Sequence, residues 1–494
     1  MGVRIMKRAL AVLLAWSAPA LADGPLGPNG SPIRTSSYSV DLAGGPVLAG
    51  SRALGLAGAY VAIAEGVDGN VHNPAAPAVR AAWSATHVDW DATVGLLFPG
   101  NLASTDFYNS GRGRTDLRRS DPREFALLAP AGNVQIGAWG MGVGLELFRY
   151  GLMRQPDPAS GGEERVIRAQ FSTVRTFVSR AVDDGQVVGG IGLHVTALDV
   201  TTRDEIVSRD GNVFTTRGVS FEGGMLWRPT GERFRLGFSV RAPVTTDVDA
   251  RGRAVGGDIV LGDPQGPDAL WLPRRVKRPW STDLGVAVQL GPRPMNVAWL
   301  DPVVVMRRID AFLERRERLR EGRRARAERL GSDALEAAEL ELEGEAEADR
   351  RYRALQRQRL GDLLRRRYAD MPRRYLLLTT ALRADGDLEN AVGVESFLQG
   401  YVDRSGERVS LTPRLGAETE VAPHWLKLRA GSYLEPTRFR GSLPRTHGTF
   451  GFDARLFEWS LFGLLHDDEA LALSAAIDGA RQYLGWAVSV GIWR

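Results

Sequence analysis

Residues 50–78 read GSRALGLAGAYVAIAEGVDGNVHNPAAPA, a run of small residues that glycines interrupt and that ends on Asn73-Pro74-Ala75. An export signal stands upstream of it. Lys7 and Arg8 precede a short apolar stretch, and Ala20-Leu21-Ala22 has the small-x-small pattern of a cleavage site. The sequence therefore predicts a signal peptide over residues 1–22, followed by an exported chain with a compact, glycine-rich segment near its start.

The last segment of the chain shows the periodicity that decides between helix and strand. Leu484, Trp486 and Val488 alternate with the small residues Gly485 and Ala487, a period of two that is typical of a strand with one apolar face. No window offers the roughly 18 consecutive apolar residues of a spanning helix. An exported chain of this kind is either soluble in the periplasm or crosses a membrane as a closed barrel.

A second alternating segment carries charge on one face. Around the short link Ala422-Pro423-His424, two strands with apolar residues on one side place five charged residues on the other: Arg414, Glu418, Glu420, Lys427 and Arg429. An antiparallel hairpin brings these opposite charges together across the strands. The charged face is solvent in a soluble sandwich and lumen in a barrel, so this hairpin alone leaves both architectures open.

Repetition and composition favour the barrel. Similar segments recur along the chain, for example at 187–197, 234–240 and 283–290. Some of the links between them are short and others are long, like the turns and loops of an outer-membrane barrel. The 57 glycines and the hydrophobic fraction of 44% suit strands with one face on a polar lumen. We expect an all-β fold, a transmembrane antiparallel barrel of about 14 strands.

The chain resembles the FadL-type outer-membrane transporters, which carry long-chain fatty acids and aromatic hydrocarbons. The resemblance lies in Gly50–Tyr60 with Asn73-Pro74-Ala75, similar to the family's N-terminal hatch, and in Leu415–Glu418 with Leu428–Pro436, similar to a late barrel hairpin. It implies a plug inside the barrel, over residues 23–80, shaped by five residues: Gly55, Gly58, Asn73, Pro74 and Ala75. It also implies passive uptake of hydrophobic compounds such as long-chain fatty acids through the outer membrane of a Gram-negative-type bacterium, with exit through a gap at a kinked strand.

Residues 303–371 interrupt the alternation with a segment rich in Arg, Glu, Leu and Ala, a composition typical of long solvated helices. Gly331 divides a basic block from an acidic one, so we expect a charged helical hairpin with an apolar seam: Ile309, Leu313, Leu319, Leu335, Leu342, Leu355 and Leu363. The barrel then comprises residues 81–302 and 372–494. If 283–290 runs toward the periplasm, as the family-like order of segments implies, the hairpin lies on the periplasmic side, whereas a count that differs by one strand places it outside. The alternative function is a structural or docking barrel of an envelope complex that uses 303–371 to contact a periplasmic or envelope protein.

The sequence lacks three common enzymatic signatures. It holds no Gly-x4-Gly-Lys-Ser/Thr loop, no His-Glu-x-x-His and no Gly-x-Ser-x-Gly. Cysteine is absent and the six histidines are dispersed, so we expect neither a metal nor another cofactor, and no enzyme activity. The formal charge of +4 interleaves both signs, and export removes nucleic acid as a partner. The expected partners are outer-membrane lipid and a hydrophobic small molecule.

Overall fold

The computed structural model describes residues 25–43, 45–99, 106–111, 126–154, 165–202, 211–250, 252–266, 269–458 and 470–493. The predicted signal peptide lies outside the described residues. Fourteen of the described strands form one antiparallel barrel: β2 (Val88–Pro99), β3 (Ala126–Ile136), β4 (Trp139–Arg154), β5 (Arg165–Val182), β6 (Val187–Thr202), β7 (Asn212–Trp227), β8 (Phe234–Arg241), β15 (Ser281–Leu290), β16 (Leu376–Asp385), β18 (Ser410–Ala422), β19 (Leu426–Glu435), β20 (Arg445–Glu458), β21 (Ala470–Ala480) and β22 (Tyr483–Trp493).

The barrel is closed at two places that join distant parts of the chain. The first and last barrel strands pair, with Val94 opposite Val490. Strand β8 pairs with β7 on one side and with β15 on the other, where Leu236 faces Val286. Closure removes every free sheet edge, which is the condition for strands to cross a bilayer. The predicted barrel of about 14 strands is confirmed.

The barrel wall is apolar outside and polar inside. In β8, Leu236 and Phe238 point outward and are 37% and 41% exposed, whereas Arg235 and Ser239 point inward and are buried. Several tryptophans near strand ends also face outward: Trp139, Trp227, Trp280, Trp425 and Trp486. This inversion of the usual soluble pattern is the arrangement of barrels whose outer face meets lipid. Tyr433 of β19, by contrast, faces the lumen and is 3% exposed.

The two ends of the barrel differ. At one end, here called the turn end, short links join the strands at 137–138, 183–186 and 423–425, and the last strand finishes. At the other, the loop end, longer connections carry small added elements: β1 (Ser39–Asp41), β9 (Val244–Asp247), β10 (Asp249–Ala250), β11 (Arg253–Val255), β12 (Asp258–Leu261), β13 (Leu270–Trp271), β14 (Arg275–Arg278), β17 (Ala391–Gly393) and an α-helix (Val394–Gln399).

The N-terminal part of the described chain lies at the loop end. Strand β1 pairs in parallel with both β14 and β17, which makes it an inner strand of a small four-stranded sheet. A salt bridge of 2.8 Å between Asp41 and Arg438 fixes it to the connection after β19. The chain therefore helps to cover the loop end before it turns into the lumen.

Two long helices, Pro302–Leu330 and Ser332–Ala369, form the insertion between β15 and β16 at the turn end. Gly331, with φ of 116°, separates them as expected. Cross-helix salt bridges such as Arg316–Asp349 (3.2 Å) and Arg324–Glu339 (2.9 Å) join the antiparallel pair. Among the described helices, none has the length and apolar character needed to cross a lipid bilayer.

The predicted apolar seam of this hairpin is partly wrong. Leu319, Leu355 and Leu363 are 69%, 44% and 62% exposed. The buried positions include Met306 and Leu364 instead. Charge pairing, rather than a leucine stripe, sets how the two helices face one another, because the sequence supplies far more arginine and acid than apolar side chains.

Candidate functional site: the plug and the lumen cavities

Of the range 23–80 that the resemblance assigned to the plug, residues 50–80 fill the lumen between the two ends and are here called the plug, whereas β1 lies at the loop end. A short α-helix (Ser51–Gly55) opens the segment, and two single turns of 3-10 helix follow, at 67–69 and 76–78. Leu54, Leu56, Tyr60 and Asn73 have no solvent exposure. The small residues that dominate the sequence here let an irregular chain pass close to the inner wall.

Glycines on the inner faces of several strands make room for the plug. A Cβ added to Gly190 of β6 would lie 2.1 Å from the carbonyl oxygen of Pro74, and one on Gly237 of β8 would lie 2.1 Å from that of Val61. Gly140 of β4 and Gly224 of β7 are equally crowded, by Pro77 and Asn73. The wall is therefore fitted to the plug backbone, and any side chain at these positions would displace it.

Asn73 ties the plug to the wall. Its side-chain nitrogen donates to the carbonyl oxygens of Val61 (2.9 Å) and of Met225 in β7 (3.1 Å). Its side-chain oxygen accepts from the backbone N–H of Ala75 at 3.0 Å, a local turn that Pro74 favours. Asn73, Pro74 and Ala75 thus form one anchored turn, and their part in blocking leakage remains a prediction.

The two predicted plug glycines have different surroundings. Gly58 adopts φ of +71°, a conformation that disfavours side chains, and lies against Arg414 and Val47. Gly55 has ordinary backbone angles, but its added Cβ would come within 3.3 Å of the Cα of Gly451 in β20. Both positions allow close approach of the plug to the wall.

A buried charge network holds one side of the plug. Arg52 in the plug donates two hydrogen bonds of 2.9 Å to Glu418 of β18. Glu418 also accepts from Arg429 of β19 at 2.5 Å, and Arg429 in turn pairs with Asp453 of β20. Tyr375 donates a further hydrogen bond of 2.9 Å to Glu418. Four charges thus neutralise one another inside the barrel, where an unpaired ion would be costly.

The structure brings together only part of the predicted set of lumen charges. Glu418 and Arg429 pair across the hairpin as expected. Glu420 and Lys427 are opposite in register, yet Glu420 binds Arg293 at 3.1 Å and the ammonium of Lys427 lies 4.4 Å from the ring centre of Trp493. Arg414 donates to the carbonyl oxygen of Gly58 at 3.1 Å.

Several lumen residues were not singled out from the sequence. Arg235 of β8 binds Glu65 of the plug at 2.7 Å, and Arg241 binds both Glu222 and Asp283 at 3.1 Å. The alternation of the run FRLGFSVR could have predicted them, because Arg235 and Arg241 both fall on its inward face. Burial alone would raise the pKa of Glu65, but the guanidinium groups of Arg235 and Arg52 lower it to about 2.

A cavity of about 200 Å³ lies between the plug and the loop end. We call it the arginine chamber, since six arginines line it: Arg175, Arg241, Arg278, Arg383, Arg414 and Arg438. Its other walls include Leu42, Val47 and Leu48, which precede the plug. The chamber therefore combines a cationic surface with an apolar one.

The arginines of the chamber are not all neutralised. Arg383 and Arg438 have close carboxylate partners in Asp385 and Asp41. Among the described residues, Arg278 has no carboxylate within salt-bridge distance, and the Nε atoms of Arg175 and Arg414 are buried without a hydrogen-bond partner. Arg175, Arg241 and Arg414 also have carboxylates within 4.0 Å. Within the described part of the chain, the chamber thus holds one arginine without an acidic partner and two spare N–H donors, which suit a bound anion.

A smaller crevice leads from the chamber to the barrel wall. It lies beside an interruption in the β3–β4 ladder, where Ala129 and Pro130 have no partners between the pairs Leu128–Leu147 and Ala131–Gly144. Proline lacks the N–H that a ladder requires. The crevice, of about 40 Å³, shares three lining residues with the chamber, which are Val71, Glu146 and Arg175.

No protein-family model and no curated protein matches this chain. Among solved structures, it is similar to the CymD monoaromatic hydrocarbon channel, with 10% identity, a TM-score of 0.47 and coverage of 91% of this chain and 97% of that one. A deletion mutant of the TodX monoaromatic hydrocarbon channel gives 10% identity, a TM-score of 0.46 and coverage of 90% and 99%. An outer-membrane channel from Pseudomonas putida F1 has 9% identity and a TM-score of 0.31, with coverage of 82% of this chain and 94% of that one. At these values the strand pairing itself, and not the likeness, establishes the barrel.

Proposed function

We propose that this protein is an outer-membrane channel of the FadL type for passive uptake of hydrophobic compounds, with long-chain fatty acids as the substrate class. The observation that carries the proposal is the continuous arrangement of the arginine chamber, the crevice and the β3–β4 interruption. Val71, Glu146 and Arg175 line both cavities. A substrate in the chamber thus has a neighbouring route toward the wall, while the plug fills the axis of the barrel.

The location follows from the wall. Apolar side chains cover its outside and charged ones its inside, and all of its strands are paired. Such a wall is stable only where lipid meets the outer face. The short links of the turn end then face the periplasm and the longer connections of the loop end face outward.

The chamber selects the substrate class within this proposal. An unpaired guanidinium such as that of Arg278 favours a carboxylate, whereas Leu42, Val47 and Leu48 favour an alkyl chain. A long-chain fatty acid has both parts. A neutral hydrocarbon would use only the apolar wall and gain nothing from the arginines.

Lateral exit explains why the ladder is interrupted at Pro130. A fatty acid that leaves through the wall enters the lipid without crossing the plug. The crevice is mostly apolar, with Val67, Leu145 and Phe177 among its lining residues. Passive movement suffices, because partition of the alkyl chain into lipid is itself favourable.

Uptake of radiolabelled oleate tests the proposal in cells that lack their own fatty acid channel. The wild-type chain should restore uptake, and Ala129→Trp should reduce it at least about tenfold by filling the crevice. Ala472→Trp is the matched control, because Ala472 lines a different cavity on the other side of the plug. Heat-modifiable migration verifies that each variant has formed its barrel.

Two results would contradict the proposal. The first is a folded wild-type barrel that does not take up oleate, whether or not it takes up a neutral aromatic hydrocarbon. The second is equal loss of uptake in Ala129→Trp and Ala472→Trp, which would remove the crevice from the route.

A further inference from the structure

The helical hairpin carries its positive charge unevenly. We define its root as residues 302–316 and 353–369, the parts next to the barrel, and its tip as residues 317–352. The root contains ten arginines and three acidic residues, whereas the tip contains eight arginines and eleven acidic residues. The sequence thus concentrates the positive charge where the hairpin leaves the barrel.

Within the described part of the chain, most arginines of the root have no acidic partner. Arg316 and Arg353 pair with Asp349 and Asp310. Among the described residues, the other eight have no carboxylate within 4.0 Å and are exposed: Arg307, Arg308, Arg315, Arg357, Arg359, Arg365, Arg366 and Arg367. In the tip, by contrast, arginines such as Arg320, Arg323 and Arg324 are bound to acids of the opposite helix.

The root also exposes apolar side chains. Val303, Val304 and Val305 are 45%, 49% and 42% exposed, and Phe312 and Leu363 are 52% and 62% exposed. Exposed apolar residues among unpaired arginines are typical of segments that lie at a lipid headgroup surface. A purely solvated arm has no use for them.

The position of the root supplies the second part of the argument. Asp301, just before the first helix, bonds His87 at the start of β2 with an Oδ1–Nδ1 distance of 3.0 Å, so the hairpin begins at the rim of the turn end. At 1.5 Å per residue, fifteen residues of helix extend about 20 Å from that rim. With a screening length of about 8 Å, the arginines nearest the rim remain within range of the leaflet around the barrel: Arg307, Arg308, Arg365, Arg366 and Arg367.

We infer that the root of the hairpin binds anionic phospholipid headgroups of the leaflet at the turn end. This inference rests on the proposed function only in that the barrel must sit in a bilayer. The occupant is chosen by charge complementarity, since the five exposed guanidinium groups nearest the rim match a sheet of phosphates. The acidic tip would be repelled by the same surface and extends away from it.

Single-cysteine labelling tests this in the full-length protein, because the natural chain has no cysteine. A bimane probe on Ala311→Cys reports the root and one on Ala337→Cys reports the tip. Each protein is placed in nanodiscs of phosphatidylcholine alone or with phosphatidylglycerol, with a nitroxide on some headgroups. Co-elution of the protein with the discs reports barrel insertion and is read separately from the probe.

The root probe should be quenched at least about twofold more in the anionic discs, and high salt should abolish the difference. Replacement of Arg307, Arg308, Arg365, Arg366 and Arg367 by glutamine should also abolish it. The matched control replaces five arginines of the tip by glutamine, Arg318, Arg323, Arg324, Arg326 and Arg329, and should keep the difference. The tip probe should not respond to lipid charge.

Three results would overturn the inference: equal quenching in both kinds of disc, no quenching in either, or equal effects of the root and tip variants. A root probe that ignores lipid charge but becomes shielded when periplasmic extract is added would indicate a protein partner and would also overturn it. If the barrel fails to enter discs at all, the proposed function fails with it.

Discussion

Arg52 and Glu418 form a two-pronged salt bridge, with two N–O distances of 2.9 Å, between the plug and barrel strand β18. They are 366 residues apart in the chain. Glu418 also forms a salt bridge with Arg429, so one carboxylate neutralises a cation of the plug and a cation of the wall. The position of the plug and the electrostatics of the lumen therefore depend on the same group.

Removal of that carboxylate should destabilise the protein. In Glu418→Gln, Arg52 and Arg429 lose their shared partner while they stay buried, and we expect a loss of about 3–5 kcal/mol in the free energy of unfolding. Thermal unfolding in detergent measures it. Glu341→Gln, on the exposed tip of the hairpin, is the control and should change stability by less than about 0.5 kcal/mol. Equal stability of the two variants would show that the salt bridge does not hold the plug.

The fit of plug and wall predicts an effect of a single methyl group. In Gly224→Ala the new Cβ would lie 2.1 Å from the side-chain oxygen of Asn73. We expect the anchored turn to shift, at a cost of about 1–3 kcal/mol, and single-channel conductance to rise. Gly223→Ala, one residue away on the outer face, meets only Val240 at 3.8 Å and should leave conductance unchanged. Conductance that stays at the wild-type level in Gly224→Ala would argue against a plug that seals the lumen.

The unpaired arginine of the chamber predicts a difference between substrates. Burial lowers the pKa of Arg278 to about 10, which still leaves it protonated at neutral pH. Arg278→Gln should weaken uptake of oleate about tenfold or more, the value of one charge-assisted hydrogen bond, and leave uptake of toluene unchanged. Arg275→Gln, in the same strand but exposed and paired with Asp247, is the control. A parallel decrease for both substrates would mean that Arg278 acts on the fold and not on the carboxylate.

Acid should loosen the plug. Burial, together with Arg414, lowers the pKa of His72 to about 3. The neutral His72 therefore contributes to the stability of the fold above pH 6.5, and this contribution is lost as the pH falls toward 3. Protonation of Glu65 lowers the stability further between about pH 4.5 and 2, because the neutral carboxyl group no longer pairs with Arg235 and Arg52. The melting temperature should fall from pH 7 to pH 4, and His72→Gln should flatten this decrease.

Asp68 acts in the opposite direction. Burial raises its pKa to about 6, so it favours the folded state below pH 3.8 and this contribution is lost as the pH rises to 6. Asp68→Asn should therefore steepen the decrease of melting temperature on acidification. An identical pH profile for wild type, His72→Gln and Asp68→Asn would place the acid-sensitive groups outside the plug.

The hairpin should be dispensable for transport. Its helices pack mainly on each other, and replacement of residues 307–366 by a short Gly-Ser linker leaves Asp301 and Tyr375 in place. We expect normal heat-modifiable migration and normal oleate uptake in this variant. Loss of uptake in a folded barrel would contradict this prediction and would assign the hairpin a part in transport.

The sequence alone determined the barrel, the hairpin and the polarity of the lumen. Alternation in β18 and β19 was sufficient to place Glu418 and Arg429 on one face, because side chains of a strand point to opposite sides in turn. The change of composition at residue 303 was sufficient to predict helices, because so many charged, helix-favouring residues suit solvated helices and not a lipid-facing strand. These are local properties of a few neighbouring residues.

Only the tertiary structure decided which distant groups meet. Arg52 pairs with Glu418, and Gly224 makes room for Asn73, because the closed barrel brings remote segments to the same height in the lumen. The leucines of the hairpin were misplaced for a related reason, since salt bridges between the helices set their rotation. Such pairings depend on long-range register, which no local pattern in the chain encodes.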